Sequence, residues 1–183
     1  KFHYDNKRSH LASSLSCIDI IIHLYFNKMS KDDIFILSKG HAYSALYTTL
    51  KMKGFKTPLP FPANPIRDVK NGVFCSTGSL GHGLPIACGV AMSDRKKNVY
   101  VLISDGELNE GSNWEAIQFA QHNHLSNLTV LVDNNGWQAS GRCVDVINLQ
   151  DLTYKFIAFG WQAYALNGHS HEELDFHLNI QRI

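Results

Sequence analysis

The sequence has few cysteines, and no two of them are close together. Its 4 cysteines are Cys17, Cys75, Cys88 and Cys143. Because they form no CxxC pair, neither a disulfide framework nor a zinc cluster is expected, and a reducing compartment is favoured. No signal-peptide pattern follows Lys1. We therefore expect a cytoplasmic protein.

Long apolar runs and a strong excess of one charge are also missing. Asp19 and His23 interrupt the stretch "CIDIIIHLYF", so no segment reaches the ~18 apolar residues of a membrane-spanning helix. With 17 basic and 16 acidic residues, the net charge of +1 provides no broad surface for nucleic acid or an anionic membrane. We expect neither as a partner. A highly charged ligand would have to be bound locally, by a metal or by helix N-termini.

The apolar pattern predicts one domain built on a parallel sheet. At 183 residues and 44% hydrophobic content, the chain 1–183 fits a single domain. The segments 98–104 and 127–133 are short, apolar and β-branched, as in strands covered on both faces, and a helix predicted over 112–125 connects them. The further predicted strands are 34–37 and 159–168. This alternation predicts an α/β fold, a three-layer, doubly wound, mostly parallel sheet with helices on both faces.

Three more helices and two loops complete the predicted order. An amphipathic helix is predicted over 11–26, and its apolar face consists of Leu15, Ile18, Ile22 and Tyr25. A second helix is predicted over 42–53. The segment 55–68 carries all but one of the prolines and is expected to be an irregular loop. A loop of small residues at 76–82 leads into another helix.

Polar clusters follow two of the predicted strands, "SDGE" at 104–107 and "DNNG" at 133–136. Ligands of open α/β sheets bind at the carboxyl ends of the strands, so we expect Asp105 and Asn135 to lie close together. Their oxygens suit Mg²⁺ or Ca²⁺, and a phosphate approaching Gly106 would supply the remaining ligands. A helix cap followed by a plain turn is the competing interpretation for either cluster alone. The two clusters together favour a metal site.

Five segments, in this order, resemble the N-terminal, diphosphate-binding half of the transketolase family. They are "RSHLASSLSCIDI", "LSKGHAYSALY", "STGSLGHGLPIACGVA", "SDGELNEGSNWEA" and "LVDNNGWQASG". The last two resemble a thiamine diphosphate motif, an acidic turn followed by paired asparagines about 30 residues later. The resemblance covers nearly the whole chain. It is closest to the split transketolases, in which the two halves are separate chains.

The resemblance implies a site for thiamine diphosphate and Mg²⁺, with Ca²⁺ as a substitute. The implied metal ligands are Asp105, Asn135 and the backbone carbonyl of Trp137. The implied cofactor contacts are His41, Gly78, Ser79, Leu80, Asp105, Gly106 and Asn135. The implied catalytic residues are His10, which meets the sugar, His41, and Glu110, which reaches across an interface to an activating glutamate. Glu107 receives no role and is expected to be solvated or to cap a helix.

The resemblance also implies an activity and a partner. The family transfers a two-carbon ketol unit from a ketose or ketose phosphate to an aldehyde. This chain contains nothing like the pyrimidine-binding domain, so a C-terminal, pyrimidine-binding subunit is expected to complete an α2β2 heterotetramer, and no catalysis is expected without it. Because the chain ends before the family's lysine-glycine-rich segment and its late histidine, the domain is expected to lack its C-terminal end.

Three positions depart from the family pattern. Ser104 replaces the first glycine of the acidic turn, His82 stands where glutamine is frequent, and Asn64 replaces a histidine that contacts the substrate. Asparagine donates a hydrogen bond but cannot carry a proton, so a shifted substrate or reduced activity is one interpretation.

Three alternatives remain beside transketolase activity. One is a subunit of another thiamine diphosphate enzyme, similar to deoxyxylulose-phosphate synthase or to the α chain of a keto-acid dehydrogenase. A second is a degenerate subunit that binds cofactor or partner without turnover, which Asn64 and the short C-terminus would favour. The third, a Mg²⁺-dependent phosphohydrolase using Asp105, lacks the further acidic partners that its nucleophile would need.

Overall fold

A parallel sheet forms the centre of the protein. The computed structural model describes residues 2–179. Strands β1 (Ile34–Leu37), β2 (Val99–Ser104) and β3 (Leu128–Asp133) lie in the order β1-β2-β3, and both neighbouring pairs are parallel. The sequence prediction of these three strands and of their parallel direction is confirmed.

The helices and the smaller elements cover both faces of this sheet. The α-helices of the described residues are α1 (Phe2–Asp5), α2 (Leu11–Leu15), α3 (Ile18–His23), α4 (Tyr43–Met52), α5 (Gly83–Ser93), α6 (Gly111–His122), α7 (Cys143–Val146), α8 (Leu152–Ala158) and α9 (His171–Asn179). A π-helical turn covers Leu24–Lys28, and 3₁₀-helices cover Gly40–Ala42, Val69–Asn71 and Gly106–Asn109. The short strands β4 (Trp137–Gln138) and β5 (Gly141–Arg142) form an antiparallel hairpin.

Side chains alternate across the sheet and contribute to two separate cores. Val101 lies in register between Ile36 and Val130, and all three face the core shared with α5 and α6. Tyr100 and Leu102 face the opposite core, which is shared with α3 and α4. The three-layer α/β arrangement with helices on both faces of the sheet is therefore confirmed.

The first predicted helix is interrupted, and its predicted buried face is confirmed at Tyr25 but wrong at Leu15. The segment 11–26 is divided between α2, α3 and the π-helical turn, with a break at Ser16 and Cys17. Leu15 is 58% exposed, whereas Cys17 is fully buried. At this break the Ser16 hydroxyl donates a hydrogen bond to the Asp133 carboxylate at the end of β3.

The strand predicted within 159–168 is also wrong. Within residues 2–179, no strand is formed by this segment, which starts with a turn at Gly160 and continues in irregular structure. Its side chains pack on the sheet layers without ladder pairing, and the Trp161 indole donates to the backbone carbonyl of Ile117. An alternating pattern alone does not make a strand, because a strand needs a neighbour for its backbone hydrogen bonds.

The predicted irregular structure of 55–68 is confirmed. Between α4 and Val69 the chain forms no helix or strand in the described structure, as the prolines predict. None of the helices between residues 2 and 179 is long and apolar enough to cross a membrane.

Candidate active site

The carboxyl ends of β2 and β3 bring the two predicted polar clusters together. Ser104 pairs with Asp133 in register, and the backbone N–H of Asp105 donates to the carbonyl of Asp133 at 3.2 Å. The buried Asp105 carboxylate accepts from the backbone N–H of Gly106 at 2.8 Å through Oδ1, and from that of Gly136 at 2.7 Å through Oδ2. The carboxylate therefore bridges the two strand ends.

The Asn135 carboxamide is fixed at both ends in this edge of the sheet. Its Nδ2 donates to Oδ2 of Asp133 at 3.2 Å, and its Oδ1 accepts from the backbone N–H of Trp137 at 2.9 Å. Trp137 begins β4, and its side chain is 63% exposed. The three residues predicted as metal ligands thus lie on the same edge of the sheet.

The donor set at this edge fits a hard divalent cation. Among residues 2–179 no ion pair involves Asp105, and its hydrogen-bond donors, two backbone N–H groups and the Cys143 thiol, are all neutral. In the same residues, no three His, Cys, Asp or Glu side chains are grouped to hold a metal. A cation here would be held by Asp105, the Asn135 amide oxygen and a backbone carbonyl, with other ligands from a bound anion. That combination suits Mg²⁺.

Cys143 lies beside the Asp105 carboxylate. Burial, followed by the charge of Asp105 and a hydrogen bond to it, raises the pKa of the Cys143 thiol to about 11. The thiol is therefore protonated near neutral pH, and it does not compete with oxygen donors for the cation.

Glu107 is fully buried, so the expectation of a solvated or capping residue is wrong. Its exposed fraction is 0%, and its Oε1 accepts from the Ser38 hydroxyl at 2.5 Å and from the backbone N–H of Gly81 at 3.0 Å. Its Oε2 has no hydrogen-bond partner among the described residues. Burial raises the pKa of Glu107 above its ordinary value of 4.5. The side chain links the end of β1 to the loop before α5.

The loop that carries Gly78, Ser79 and Leu80 packs directly on the loop after β1. A Cβ atom built at Gly40 would lie 2.9 Å from the backbone nitrogen of Gly78, so only glycine allows this approach. Gly78 itself has a φ of +144°, and its Cα faces the Asn64 side chain. All three residues of the predicted cofactor loop are exposed. The loop is therefore open to a ligand on one side and fixed from below on the other.

Two histidines face each other beside this loop. The ring centroids of His10 and His41 are 5.4 Å apart. His10 is exposed and has a left-handed backbone with φ of 67°, whereas His41 is partly buried in the 3₁₀-helix Gly40–Ala42. Burial, then the positive charges of Lys39 and of His10, lowers the pKa of His41 to about 4. The His41 imidazole is therefore neutral near pH 7 and has one donor and one acceptor nitrogen.

Both histidines line an open cavity of about 230 Å³. The lining also includes Lys7, Arg8 and Asn64, and it includes no acidic side chain. The cavity therefore has a positive rim and two imidazoles that can exchange hydrogen bonds with hydroxyl groups. Its size suits a small polar molecule rather than a polymer.

The remaining residues singled out from the sequence are Glu110, His82 and Gly106. Glu110 is exposed at the start of α6 and makes no capping hydrogen bond, so its carboxylate is available to another chain. His82 is exposed at the start of α5. Gly106 is buried, and a Cβ atom on it would lie 2.8 Å from Cβ of Gln138. Its predicted contact with a phosphate stays a prediction, because Gln138 covers it here.

Sequence reasoning missed three buried charged residues beneath the site: Lys39, Glu107 and Asp133. The signal that could have found them is their position, because each stands at or just after the end of an apolar strand. A charge at that position is either in the ligand site or buried below it, and a buried charge needs a partner.

Comparisons with known proteins agree on one family. Residues 22–181 match the family described as transketolase, thiamine diphosphate binding domain. The chain is 34% identical to one of the subunits of apulose-4-phosphate transketolase from Phocaeicola vulgatus, over 93% of this chain and 69% of that protein. It is 35% identical to 6-deoxy-6-sulfo-D-fructose transketolase subunit SqwG of a Clostridium species, over 90% of this chain and 68% of that protein.

A solved structure supports the same fold. The transketolase from Leishmania mexicana superposes with a TM-score of 0.78 at 23% identity, over 93% of this chain and 34% of that chain. The present chain thus spans about two thirds of the curated subunits that it matches and about one third of that longer enzyme.

Proposed function

We propose that this chain, which belongs to the transketolase family and matches its thiamine diphosphate-binding domain, is one subunit of an enzyme. The enzyme transfers a two-carbon ketol unit from a ketose to an aldehyde. The observation that carries the proposal is the Asp105 carboxylate, buried between two strand ends without a cationic partner among residues 2–179. It lies on the same edge of the sheet as Asn135 and near the exposed Gly78–Leu80 loop, where a magnesium diphosphate would bind.

Each residue of the site has a task in this proposal. Asp105, Asn135 and the Trp137 carbonyl would hold Mg²⁺, and the backbone groups of Gly78, Ser79, Leu80 and Gly106 would contact the cofactor. Thiamine diphosphate, when bound, supplies the carbon nucleophile for cleavage of the C–C bond. The neutral His41 imidazole donates to or accepts from a hydroxyl, and His10, 5.4 Å away, shares a proton-exchange role at the sugar.

The substrate class that fits the cavity is a sugar with an anionic end group. Lys7 and Arg8 line the cavity beside His10, and no acid lines it. The two curated relatives named above act on a phosphorylated and a sulfonated sugar, as their names state. A phosphate or sulfonate would be attracted to the two cations, while the hydroxyl groups of the sugar reach the histidines.

The proposed partner is a pyrimidine-binding subunit in an α2β2 assembly in the cytoplasm. Both curated relatives are named as subunits, which supports a second chain. Exposed Glu110 would reach an activating carboxyl of that chain. The exposed side chains of Leu80 and Trp137 would be covered by it.

The test is reconstitution with a pyrimidine-domain partner chain. The expected result is Mg²⁺-dependent binding of thiamine diphosphate by the complex and ketol transfer from a panel of ketose phosphates and sulfo-ketoses. The chain alone should give no transfer. A complex that fails to bind the cofactor in the presence of Mg²⁺ would overturn the proposal.

A second candidate function is cofactor or partner binding without turnover. The observation in its favour is Asn64, which lines the cavity and packs against Gly78 where a proton-carrying residue is expected. The experiment is Asn64→His in the reconstituted complex. A sharp rise in ketol transfer from an inactive wild type would favour the second candidate, and wild-type turnover of any sugar would exclude it.

A further inference from the structure

A fully buried ion pair lies beneath the candidate site. The exposed fraction of Lys39 is 0%, and its amine donates to Oδ2 of Asp133, a buried carboxylate, and to the backbone carbonyl of Ser13 at 3.2 Å. Neither charged group lines the cavity beside the histidines. Their charges therefore do not meet the sugar there, and their function has to be sought in what they hold.

The Asp133 carboxylate collects donors from three different segments. Besides the Lys39 amine, its Oδ2 accepts from the Ser16 hydroxyl at 2.5 Å and from the Asn135 amide at 3.2 Å. Ser16 ends α2, which begins directly after His10, and Lys39 lies two residues before His41. One carboxylate thus connects the three segments that carry His10, His41 and Asn135.

The chemistry of Asp133 also decides how the Asn135 amide is turned. An ionised carboxylate only accepts hydrogen bonds, so Asn135 must present its NH₂ group to Asp133. Its Oδ1 consequently points away from Asp133, where it accepts from the Trp137 backbone and is available as an oxygen ligand. A neutral residue at 133 would remove this constraint and leave the Trp137 backbone N–H as the contact that orients the amide.

We propose that the buried Lys39–Asp133 pair is a positioning device: it holds the His10, His41 and Asn135 segments in one arrangement and fixes the Asn135 oxygen towards the metal. The inference rests on the proposed function for what binds at the site. The competing interpretation is that the pair only stabilises the fold. Buried ion pairs are weak stabilisers compared with apolar residues of similar size, whereas removal of one partner is strongly destabilising.

That difference defines the test. The double variant Lys39→Met/Asp133→Leu replaces the pair with apolar side chains and leaves no unpaired charge. The matched control is Lys97→Met/Asp94→Leu, which removes an exposed pair whose atoms are 3.6 Å apart and whose side chains are 45% and 42% exposed. Each variant chain is assembled with the pyrimidine-binding subunit. Calorimetry then measures the affinity of the complex for thiamine diphosphate at low and at saturating Mg²⁺.

The expected result separates stability from positioning. The double variant should keep its melting temperature within about 5 °C of wild type. Its thiamine diphosphate affinity at low Mg²⁺ should fall by about tenfold or more, with partial recovery at saturating Mg²⁺. The control variant should change neither. Wild-type affinity in a folded double variant would overturn the inference.

A second readout does not depend on the cofactor. Amide hydrogen exchange in the double variant should accelerate in residues 10–16 and 134–138, and it should stay at the wild-type rate in β2 and α6. If the wild-type complex binds no thiamine diphosphate, the proposed function fails, but this measurement still decides whether the buried pair holds these segments in place. An equal change of the exchange rate in all these segments, or no change in any of them, would overturn the inference.

A milder variant covers the case in which the double variant does not fold. Ser16→Ala removes a single donor to Asp133 and leaves both charges in place. Exchange should then accelerate in residues 10–16 alone, with a fall in affinity of about threefold. Ser93→Ala, which removes an exposed hydroxyl bonded to a helix carbonyl, is the control. Unchanged exchange in Ser16→Ala would contradict the proposed link to the His10 segment.

Discussion

The backbone N–H of Gly136 donates a 2.7 Å hydrogen bond to the carboxylate of Asp105, which holds the loop after β3 against the end of β2. The second oxygen of Asp105 accepts from Gly106, the residue that follows it. Both donors are neutral, so they orient the carboxylate without cancelling its charge. A divalent cation would compensate that charge.

Removal of the Asp105 charge should abolish tight cofactor binding without unfolding the chain. Asp105→Asn keeps the shape and one acceptor oxygen, but it loses the charge that a cation needs. We expect the affinity of the reconstituted complex for thiamine diphosphate with Mg²⁺ to fall by about 100-fold, as measured by calorimetry. Asp94→Asn, at an exposed surface position, should bind as wild type. Equal affinity in both variants would contradict the metal assignment.

Glu107 should make the protein less stable as the pH rises. Because burial raises the pKa of Glu107 above 4.5, the folded state binds more protons than the unfolded state just above pH 4.5. Its effect on stability is therefore most favourable below pH 4.5 and declines as the pH rises through the folded pKa. Glu107→Gln removes this decline. In urea denaturation, the free energy of unfolding of the variant should therefore rise relative to that of wild type between pH 4.5 and pH 8.

Two comparisons sharpen the test of Glu107. Glu115→Gln, at an exposed position of α6, should show no such relative gain. Glu107→Ala leaves the Ser38 hydroxyl and the Gly81 N–H without their acceptor, and it should cost about 1–3 kcal/mol in the free energy of unfolding. A Glu107→Gln profile parallel to that of wild type would show that the buried acid is ionised at all these pH values.

His41 should have the opposite dependence on pH. Its pKa of about 4 in the fold lies below the ordinary value of 6.5, so the folded state binds fewer protons than the unfolded state between these values. Stability should consequently fall as the pH decreases from 6.5 to 4. His41→Gln should flatten this slope in urea denaturation. The difference in the free energy of unfolding between the two proteins at pH 8, where the histidine is neutral, measures the effect of the substitution apart from proton binding. A histidine resonance that titrates near 6.5 and disappears in His41→Gln would contradict the prediction.

Reversal of the charge at the cavity rim should act on the anionic end of the substrate. Arg8→Glu places a negative charge in a cavity lined by Lys7 and His10. We expect KM for a ketose phosphate to rise by about tenfold, with little change in kcat and little effect on a neutral ketose. Lys96→Glu, on the exposed surface after α5, is the control. An equal rise in KM for the neutral ketose would show that Arg8 does not recognise the anionic group of the substrate.

The contact between Gly40 and Gly78 should not tolerate a methyl group. Gly40→Ala forces the two loops apart, because the added carbon would lie 2.9 Å from a backbone nitrogen. We expect a loss of about 1–3 kcal/mol in the free energy of unfolding, together with weaker cofactor binding. Gly111→Ala, where no atom lies within 4 Å, should cost far less. Similar losses at both positions would contradict the close approach.

The sheet and the part of the site at the strand ends were predictable from the sequence for a physical reason. Strands buried on both faces are apolar throughout, so β2 and β3 were recognised almost to the residue. Asp105 and Asn135 follow these strands directly, and the parallel direction brings them to one edge. The region 159–168 has a similar apolar alternation, but the sequence does not reveal whether a neighbouring strand is available.

The buried charges stand at strand ends, which the sequence shows, but their pairing was not predictable because their partners are distant in sequence. Lys39 and Asp133 are 94 positions apart, and Ser38 and Glu107 are 69 positions apart. Glu107 stands only two residues after Asp105, and nothing in the local sequence shows that it turns inward. A charged residue at a strand end is expected to be solvated until the partner that allows its burial is known.

The division of the site into a buried level and an exposed rim has a consequence for how the enzyme can change over evolution. Lys39, Glu107 and Asp133 are buried and bonded to other segments, so a change at any of them would disturb more than its own loop. Lys7, Arg8 and Asn64 lie on the exposed rim. We therefore expect substitutions at the rim to change the accepted sugar with less disturbance of the fold than substitutions at the buried level.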